Sequence, residues 1–298
     1  MRILSRIIFL TVLVVLTYAQ DENVSTKDYA VVSDIQYCTG GAKPLLMDVF
    51  VPRTRLRQPS PAVLWLHGGG WERGDKNGSS GARFLASAGF VTASIYYRLS
   101  GEAKFPAAIE DCKCAVRYLR ANATQYGIDP ERIGVAGASA GGHLALLVGT
   151  ADEKAGLEGT GGWPNVSSGV KAVVSFFGPT DFRTIDTDFG PRGQAAILKF
   201  VGGTTVENAD AYRKASPIAY VSPGDPPILM VHGDSDQLVP FEQSKRMLDA
   251  CLRAGVAARL VKVGNADHSF APRAPDKPLS ISVDEIHAMT VEFFKKQL

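Results

Sequence analysis

The 298-residue chain is poor in the residues that build metal centres and in charge excess of either sign. It holds four cysteines (Cys38, Cys112, Cys114, Cys251) and five histidines. Cys112 and Cys114 have no second Cys/His cluster to complete a tetrahedral site, so the pair does not read as a metal centre. Lys and Arg number 32 against 30 Asp and Glu, a formal charge of +2 that Arg2 and Arg6 alone account for. A chain without its first 19 residues is therefore balanced, and offers no basic footprint for nucleic acid or an anionic membrane. Internal repeats, low-complexity tracts and linker-like stretches are missing as well. That excludes repeat arrays and leaves residues 20–298 as one domain with a sizeable core.

Long apolar runs are also scarce, apart from residues 7–16. That run follows Arg2 and Arg6 and precedes Thr17-Tyr18-Ala19, with Thr at −3 and Ala at −1 of a cut before Gln20. The pattern reads as a secretory signal peptide over residues 1–19, releasing an extracellular or periplasmic chain. The competing reading is an uncleaved anchor, for which the run is short; a lipid anchor lacks its Cys at the cut. Export permits disulfides. Cys112 and Cys114, two apart on an expected helix, face different sides and cannot easily bond each other. Cys38 and Cys251 could each pair with one of them, but four buried thiols are the preferred expectation.

Strand and helix patterns alternate through most of the chain. Runs at 30–37 and 45–51 flank Gly40-Gly41 as a hairpin, and 62–66, 91–97, 133–136, 170–177, 227–231 and 258–263 read as buried strands. Helical spacing follows at 84–88, 106–126, 142–148, 241–253 and 284–296, and Pro106 suits a first helical turn. Only 182–226 breaks the rhythm, as an irregular, cap-like insertion. The expected architecture is α/β, with a mostly parallel central sheet of about eight strands and helices on both faces.

The chain is organised around Gly137-Ala138-Ser139-Ala140-Gly141, a G-x-S-x-G pattern between a strand and a helix. In such an elbow the serine sits on a strained turn with its hydroxyl held out, and the following helix aims amides at developing negative charge. A serine hydroxyl needs a base, and the base needs a partner to fix its tautomer. In this architecture they follow in the order acid, then histidine, on loops after later strands. Asp234 and Asp236 both follow the 227–231 strand. Asp236 lies further into the loop and is the expected acid, with Asp234 tying down its own loop. His268 is the one histidine in the loop after the last strand and is the expected base. His67 reads as a structural hydrogen-bonding group, His143 as packed beneath the site, and His232 and His287 as strand-end and helix residues. Gly69 and Gly70, with the Ala140 amide, are the expected oxyanion donors; a merely flexible turn is the alternative for the glycines.

These motifs resemble the α/β-hydrolase esterases and lipases. The residues that carry the likeness are HGGGW at 67–71 with GDK at 74–76, YYRLS at 96–100 and FPAAIEDCKCAVRYLR at 105–120. GASAGGHLA at 137–145, HGDSDQLVP at 232–240 and DHSF at 267–270 complete them. Together they span roughly residues 30–297 and are most similar to secreted bacterial feruloyl and acetyl-xylan esterases, near the hormone-sensitive-lipase-like group. Ala138 departs from that group's usual Asp. The resemblance implies Ser139 as nucleophile, His268 as base, Asp236 as its orienter, and no metal or organic cofactor. Asp111 falls within a shared motif and reads as a buried structural acid.

The expected function is secreted serine carboxylesterase on a small-molecule or polysaccharide-linked ester, with short-chain or aromatic acyl groups. Trp71, Trp163, Phe176, Phe189 and Phe270 are the aromatics that could line an acyl pocket. Alternatives are a lipase or polyesterase, an arylformamidase or prolyl-oligopeptidase-type peptidase with the same triad, and a non-catalytic binding module. The last commonly lacks the serine, which is intact here.

Overall fold

A β-hairpin opens the fold, with β1 (Tyr29–Gly40) and β2 (Lys43–Pro52) pairing antiparallel around Gly41. The computed structural model describes residues 28–298, so the expected signal peptide lies outside the described residues. β2 pairs antiparallel with β4 (Val91–Ile95). β3 (Ser60–Leu66), β5 (Ile128–Ala138), β6 (Val173–Phe176), β7 (Ile228–Gly233) and β8 (Ala258–Val263) extend the sheet. The order is β1-β2-β4-β3-β5-β6-β7-β8, parallel from β4 onward. Every residue of β3, β4, β6 and β7 is buried, as strands covered on both faces must be.

β3 shows how the two faces are filled. Ala62, Leu64 and Leu66 enter one apolar cluster, while Val63 and Trp65 enter the other, following the period of two along a strand. The first cluster takes Ile109, Cys112, Val116 and Leu119 from α2 (Ala107–Ala121) and Leu144 and Leu147 from α4 (Ala140–Thr150). It also takes Met247 from α8 (Phe241–Arg253). The second takes Leu85 from α1 (Ser80–Ser87) and Ile286 and Phe294 from α9 (Val283–Gln297). A short α3 (Ala123–Tyr126) follows α2, so the single expected helix over 106–126 is two, ended by left-handed Gly127. Among the described residues no helix is long and apolar enough to cross a membrane.

The stretch 182–226 is more ordered than its sequence pattern implies. It carries α5 (Ile185–Asp188), α6 (Pro191–Val201) and α7 (Ala209–Lys214). α6 begins on Pro191 and closes on left-handed Gly202 (φ +88°), the helix start and stop that these residues favour. Gly193, Ile197, Phe200 and Val201 are buried at i, i+4, i+7 and i+8, an apolar stripe too short to stand out from the surrounding aromatics.

Cys38 and Cys114 form a disulfide, with Cα atoms 6.4 Å apart, so buried thiols are the state of only Cys112 and Cys251. Both Cys112 and Cys114 are buried in the same apolar cluster, but the helical geometry that keeps them apart leaves only Cys114 facing Cys38 on β1. Burial pushes the Cys251 thiol up to about 11 and raises Cys112 as well, which keeps both protonated at neutral pH. The bridge closes a loop with a sequence separation of 76, large enough to restrict the unfolded chain substantially. Replacing both Cys38 and Cys114 by Ser should lower the unfolding free energy by roughly 2–4 kcal/mol, read from denaturant titration without reductant. An unchanged midpoint would mean the bridge contributes nothing to stability.

Candidate active site

β5 delivers Ser139 and α4 begins directly after it. Ser139 has φ +56° and ψ −119°, a conformation that a side-chain-bearing residue holds only when its surroundings dictate it. The flanking glycines show what dictates it. A Cβ on Gly137 would come 2.3 Å from the Gly141 carbonyl oxygen, and one on Gly141 would come 2.0 Å from that of Leu66. The G-x-S-x-G spacing is thus a packing requirement for bringing strand and helix together.

The structure brings Ser139, His268 and Asp236 into one hydrogen-bonded chain. Ser139 Oγ lies 2.8 Å from His268 Nε2, and His268 Nδ1 lies 2.6 Å from Asp236 Oδ2. The hydroxyl can donate to Nε2 only if the ring proton sits on Nδ1, and the carboxylate accepts that proton's hydrogen bond. Asp236 Oδ1 accepts the amides of Leu238 and Val239, both at 2.9 Å. Burial would raise its pKa, but hydrogen bonds from His232 and His268 prevail and hold the carboxyl far below the usual range. Asp236 is therefore an anion at any working pH.

His232 is the contributor that sequence reasoning missed, having taken it as a strand-end residue. It is fully buried, with Nε2 at 3.2 Å from Asp236 Oδ2 and 2.9 Å from the Val239 carbonyl. Ser244 Oγ sits 2.7 Å from its Nδ1. The His-Gly-Asp-Ser-Asp spacing carried the signal, because a tight turn after β7 returns the fifth residue to the first. Asp234 holds the neighbouring loop: its Oδ1 accepts the Asn265 amide at 2.9 Å. Asp267 accepts the amides of Ser269 and Ala271 (2.7 and 3.0 Å), so the segment carrying His268 is braced on both sides.

Gly69 and Gly70 line the cavity beside Ser139 and His268. Their φ values of +115° and +62° suit glycine, and a Cβ on Gly69 would fall 2.0 Å from the Arg73 carbonyl oxygen. The Gly69 carbonyl accepts the amides of Glu72 and Arg73 (3.2 and 3.3 Å). Among the described residues, neither the Gly69 nor the Gly70 amide has an acceptor. Ala140, first in α4, has an amide without an intrahelical partner.

The cavity measures about 460 Å³ and is lined by Trp71, Phe177, Phe189, Leu238, Val239 and one face of α6. Trp71 is buried, stacked on Phe200 with centroids 4.7 Å apart. Of the other expected aromatics, only Phe189 reaches the cavity. Phe270 packs instead against Phe177 (4.9 Å) and Phe176 (6.4 Å). Phe177, at φ +42°, turns out of the strand pattern and takes the pocket position beside His268, at 4.7 Å. Trp163 donates from Nε1 to the Tyr37 carbonyl (3.2 Å), near the disulfide.

The remaining histidines and Asp111 are structural. His67 stacks on Tyr97 at 4.2 Å with Nδ1 2.7 Å from the Gly68 carbonyl, His287 stacks on Phe84 at 4.2 Å, and Arg98 forks onto Asp111. His143 is fully buried against Trp71 and Phe182, with Nε2 2.7 Å from the Ala215 carbonyl. Burial lowers its pKa to about 4. Its folded pKa thus lies below the ordinary 6.5, so the unfolded chain takes up a proton that the fold refuses as pH falls from 6.5 to 4. Stability is fully present above about 6.5 and declines through that window, by up to about 3 kcal/mol from this group. His143→Gln should flatten this part of the pH–stability curve in denaturant titrations; an unchanged slope would assign the proton uptake elsewhere.

Known proteins resemble this chain over most of its length. The BD-FAE family model matches residues 47–251. The esterase LipC of Mycobacterium tuberculosis is 31% identical over 84% of this chain and 64% of its own length. The probable carboxylic ester hydrolase LipM of the same organism is 30% identical over 75% of this chain. The chain thus spans less than two thirds of these curated relatives, 64% of one and 52% of the other. A truncated carbohydrate esterase from gut microbiota superposes with a TM-score of 0.78 at 28% identity, covering 92% of this chain and 98% of that one. An α/β-hydrolase sheet, an elbow serine at the end of β5 and a family model over most of the sheet agree: the chain belongs to the BD-FAE family.

Proposed function

We propose that this protein is a secreted serine carboxylesterase that cleaves short-chain or aromatic acyl esters, including acetyl or feruloyl esters carried on polysaccharide. The observation that carries the reading is the continuous hydrogen-bonded chain from Ser139 through His268 to the ionised Asp236 at the edge of an apolar-walled cavity. The carbohydrate esterase likeness supports a sugar-borne ester, and the Cys38–Cys114 bridge supports an oxidising compartment.

In this mechanism Ser139 Oγ attacks the ester carbonyl carbon while its proton passes to His268 Nε2. The carbonyl electron pair moves onto oxygen, where the amides of Gly69, Gly70 and Ala140 receive the charge. His268 then returns the proton to the departing alkoxide, leaving an acyl ester on Ser139. Water, deprotonated by His268, repeats the sequence and releases the acid. Asp236 keeps the imidazole oriented and stabilises its cationic form, remaining ionised throughout.

A hydrolysis panel on the purified protein tests the reading: p-nitrophenyl acetate, butyrate and laurate, methyl ferulate, acetylated xylan and N-formylkynurenine. Acetate and butyrate above laurate, with release from methyl ferulate or xylan, is the expected result. Laurate above acetate would make it a lipase, formamide cleavage alone an amidase, and silence throughout a binding module.

A further inference from the structure

The cavity wall contributed by α6 combines part of the helix's buried face with part of its exposed one. Gly193, Ile197, Phe200 and Val201 are its buried stripe, of which Gly193 and Ile197 also reach the cavity. Arg192, Ala195, Ala196 and Lys199, at i, i+3, i+4 and i+7, form a second stripe that lines the cavity holding Ser139 and His268. Arg192, Ala195 and Lys199 are exposed and Ala196 is half-buried, so this stripe brings positive charge to the solvent-facing side of the cavity. Next to α6 the glycine loop adds Glu72 and Arg73 to the lining. Glu72 is the lone acid of the lining and is matched by Lys199, at 3.1 Å. Asp75, two residues beyond Arg73 and outside the lining, accepts the Asn77 amide at 3.3 Å. Among the described residues, the guanidinium groups of Arg73 and Arg192 have neither ion pair nor hydrogen bond. Two solvent-exposed guanidinium groups without a protein partner, one on the glycine loop and one on the adjoining α6, therefore line one cavity in a chain of almost balanced charge.

We propose that Arg73 and Arg192 select esters that carry a carboxylate, supplied either by an acidic sugar on the alcohol side or by a dicarboxylic half-ester on the acyl side. The inference rests on the esterase reading above and names the substrate class of that site. Guanidinium groups suit it because they stay charged at every working pH and present planar donors to a carboxylate. Exposed to solvent, each contributes modestly to binding and more to the capture of an anionic substrate.

The test compares matched pairs in wild type, Arg73→Gln, Arg192→Gln and the double variant. 4-Acetoxybenzoate against 4-acetoxybenzamide places the charge on the alcohol side, and monoethyl glutarate against its neutral amide places it on the acyl side. The readout is the anionic-to-neutral ratio of kcat/KM. In wild type it should favour the anion in one pair, which identifies the side, and fall several-fold between 20 mM and 500 mM NaCl as screening rises. Each Gln variant should lower that ratio about three- to five-fold and the double variant about ten-fold, while Arg→Lys at both positions retains most of it. A ratio near one in both pairs, or one that ignores Arg73 and Arg192, overturns the inference while neutral-ester turnover upholds the esterase reading. If no ester of either charge is cleaved, the esterase reading fails and this inference falls with it.

Discussion

Ser139→Ala should lower ester turnover by roughly 10⁴- to 10⁶-fold, with the fold intact. The loss is large because, among the described residues, this hydroxyl alone places an oxygen 2.8 Å from His268 Nε2. Without it no acyl-enzyme forms, and only binding and the oxyanion donors remain to assist attack by water. Stability should not suffer. The backbone at Ser139 is set by the close approach of Gly137, Gly141 and the Leu66 carbonyl, none of which involves the hydroxyl. Stopped-flow measurement with p-nitrophenyl acetate should show a burst stoichiometric with enzyme, or full single-turnover labelling, in wild type and neither in the variant. Residual activity within ten-fold of wild type, with an unchanged circular dichroism spectrum, would remove Ser139 from the mechanism.

Asp236→Asn should cost roughly 10⁴-fold in kcat with little change in KM. The hydrogen bonds decide which way the new amide points. Oδ1 accepts two backbone amides, from Leu238 and Val239, and only an oxygen can occupy that position. The asparagine nitrogen must then take the place of Oδ2, facing His268 Nδ1 and His232 Nε2. As a donor it drives the His268 proton to Nε2, where the ring can no longer accept from Ser139. Removal of the one carboxylate that stabilises the imidazolium adds to the loss. Turnover measured from pH 6 to 10 should stay low through the neutral range. Recovery to near wild type at neutral pH would show that the carboxylate does not fix the tautomer.

The parts of the site that the sequence made legible share a property: their constraints are local. Ser139 is fixed by glycines within two residues of it, and His268 and Asp236 by their place after the last two strands. The mostly parallel sheet, with its antiparallel hairpin at one edge, followed from strand–helix alternation, although the placing of β4 between β2 and β3 did not. What was hidden depends on contacts between distant segments. The Cys38–Cys114 bridge needs the rotation of α2 against β1, which composition does not encode. Phe270 and Phe177 exchange expected places because Phe177 leaves the strand with φ +42°, so alternation fails at the position that matters. His232 was overlooked because strand-end burial is an ordinary fate for a histidine, and its bond to Asp236 emerges only when the turn closes.

The two-faced character of α6 bears on how such a site diversifies. Its buried stripe (Gly193, Ile197, Phe200, Val201) holds the helix in place, with Gly193 and Ile197 also touching the cavity, while Arg192, Ala195, Ala196 and Lys199 line the cavity without being buried in the core. Substitutions on the second stripe alter neither the elbow nor the sheet, so they are decoupled from folding in a way that changes at Trp71 or Phe177 are not. Four codons thus form a cassette through which substrate preference can drift under selection, or be randomised in a library, while the catalytic apparatus stays constant.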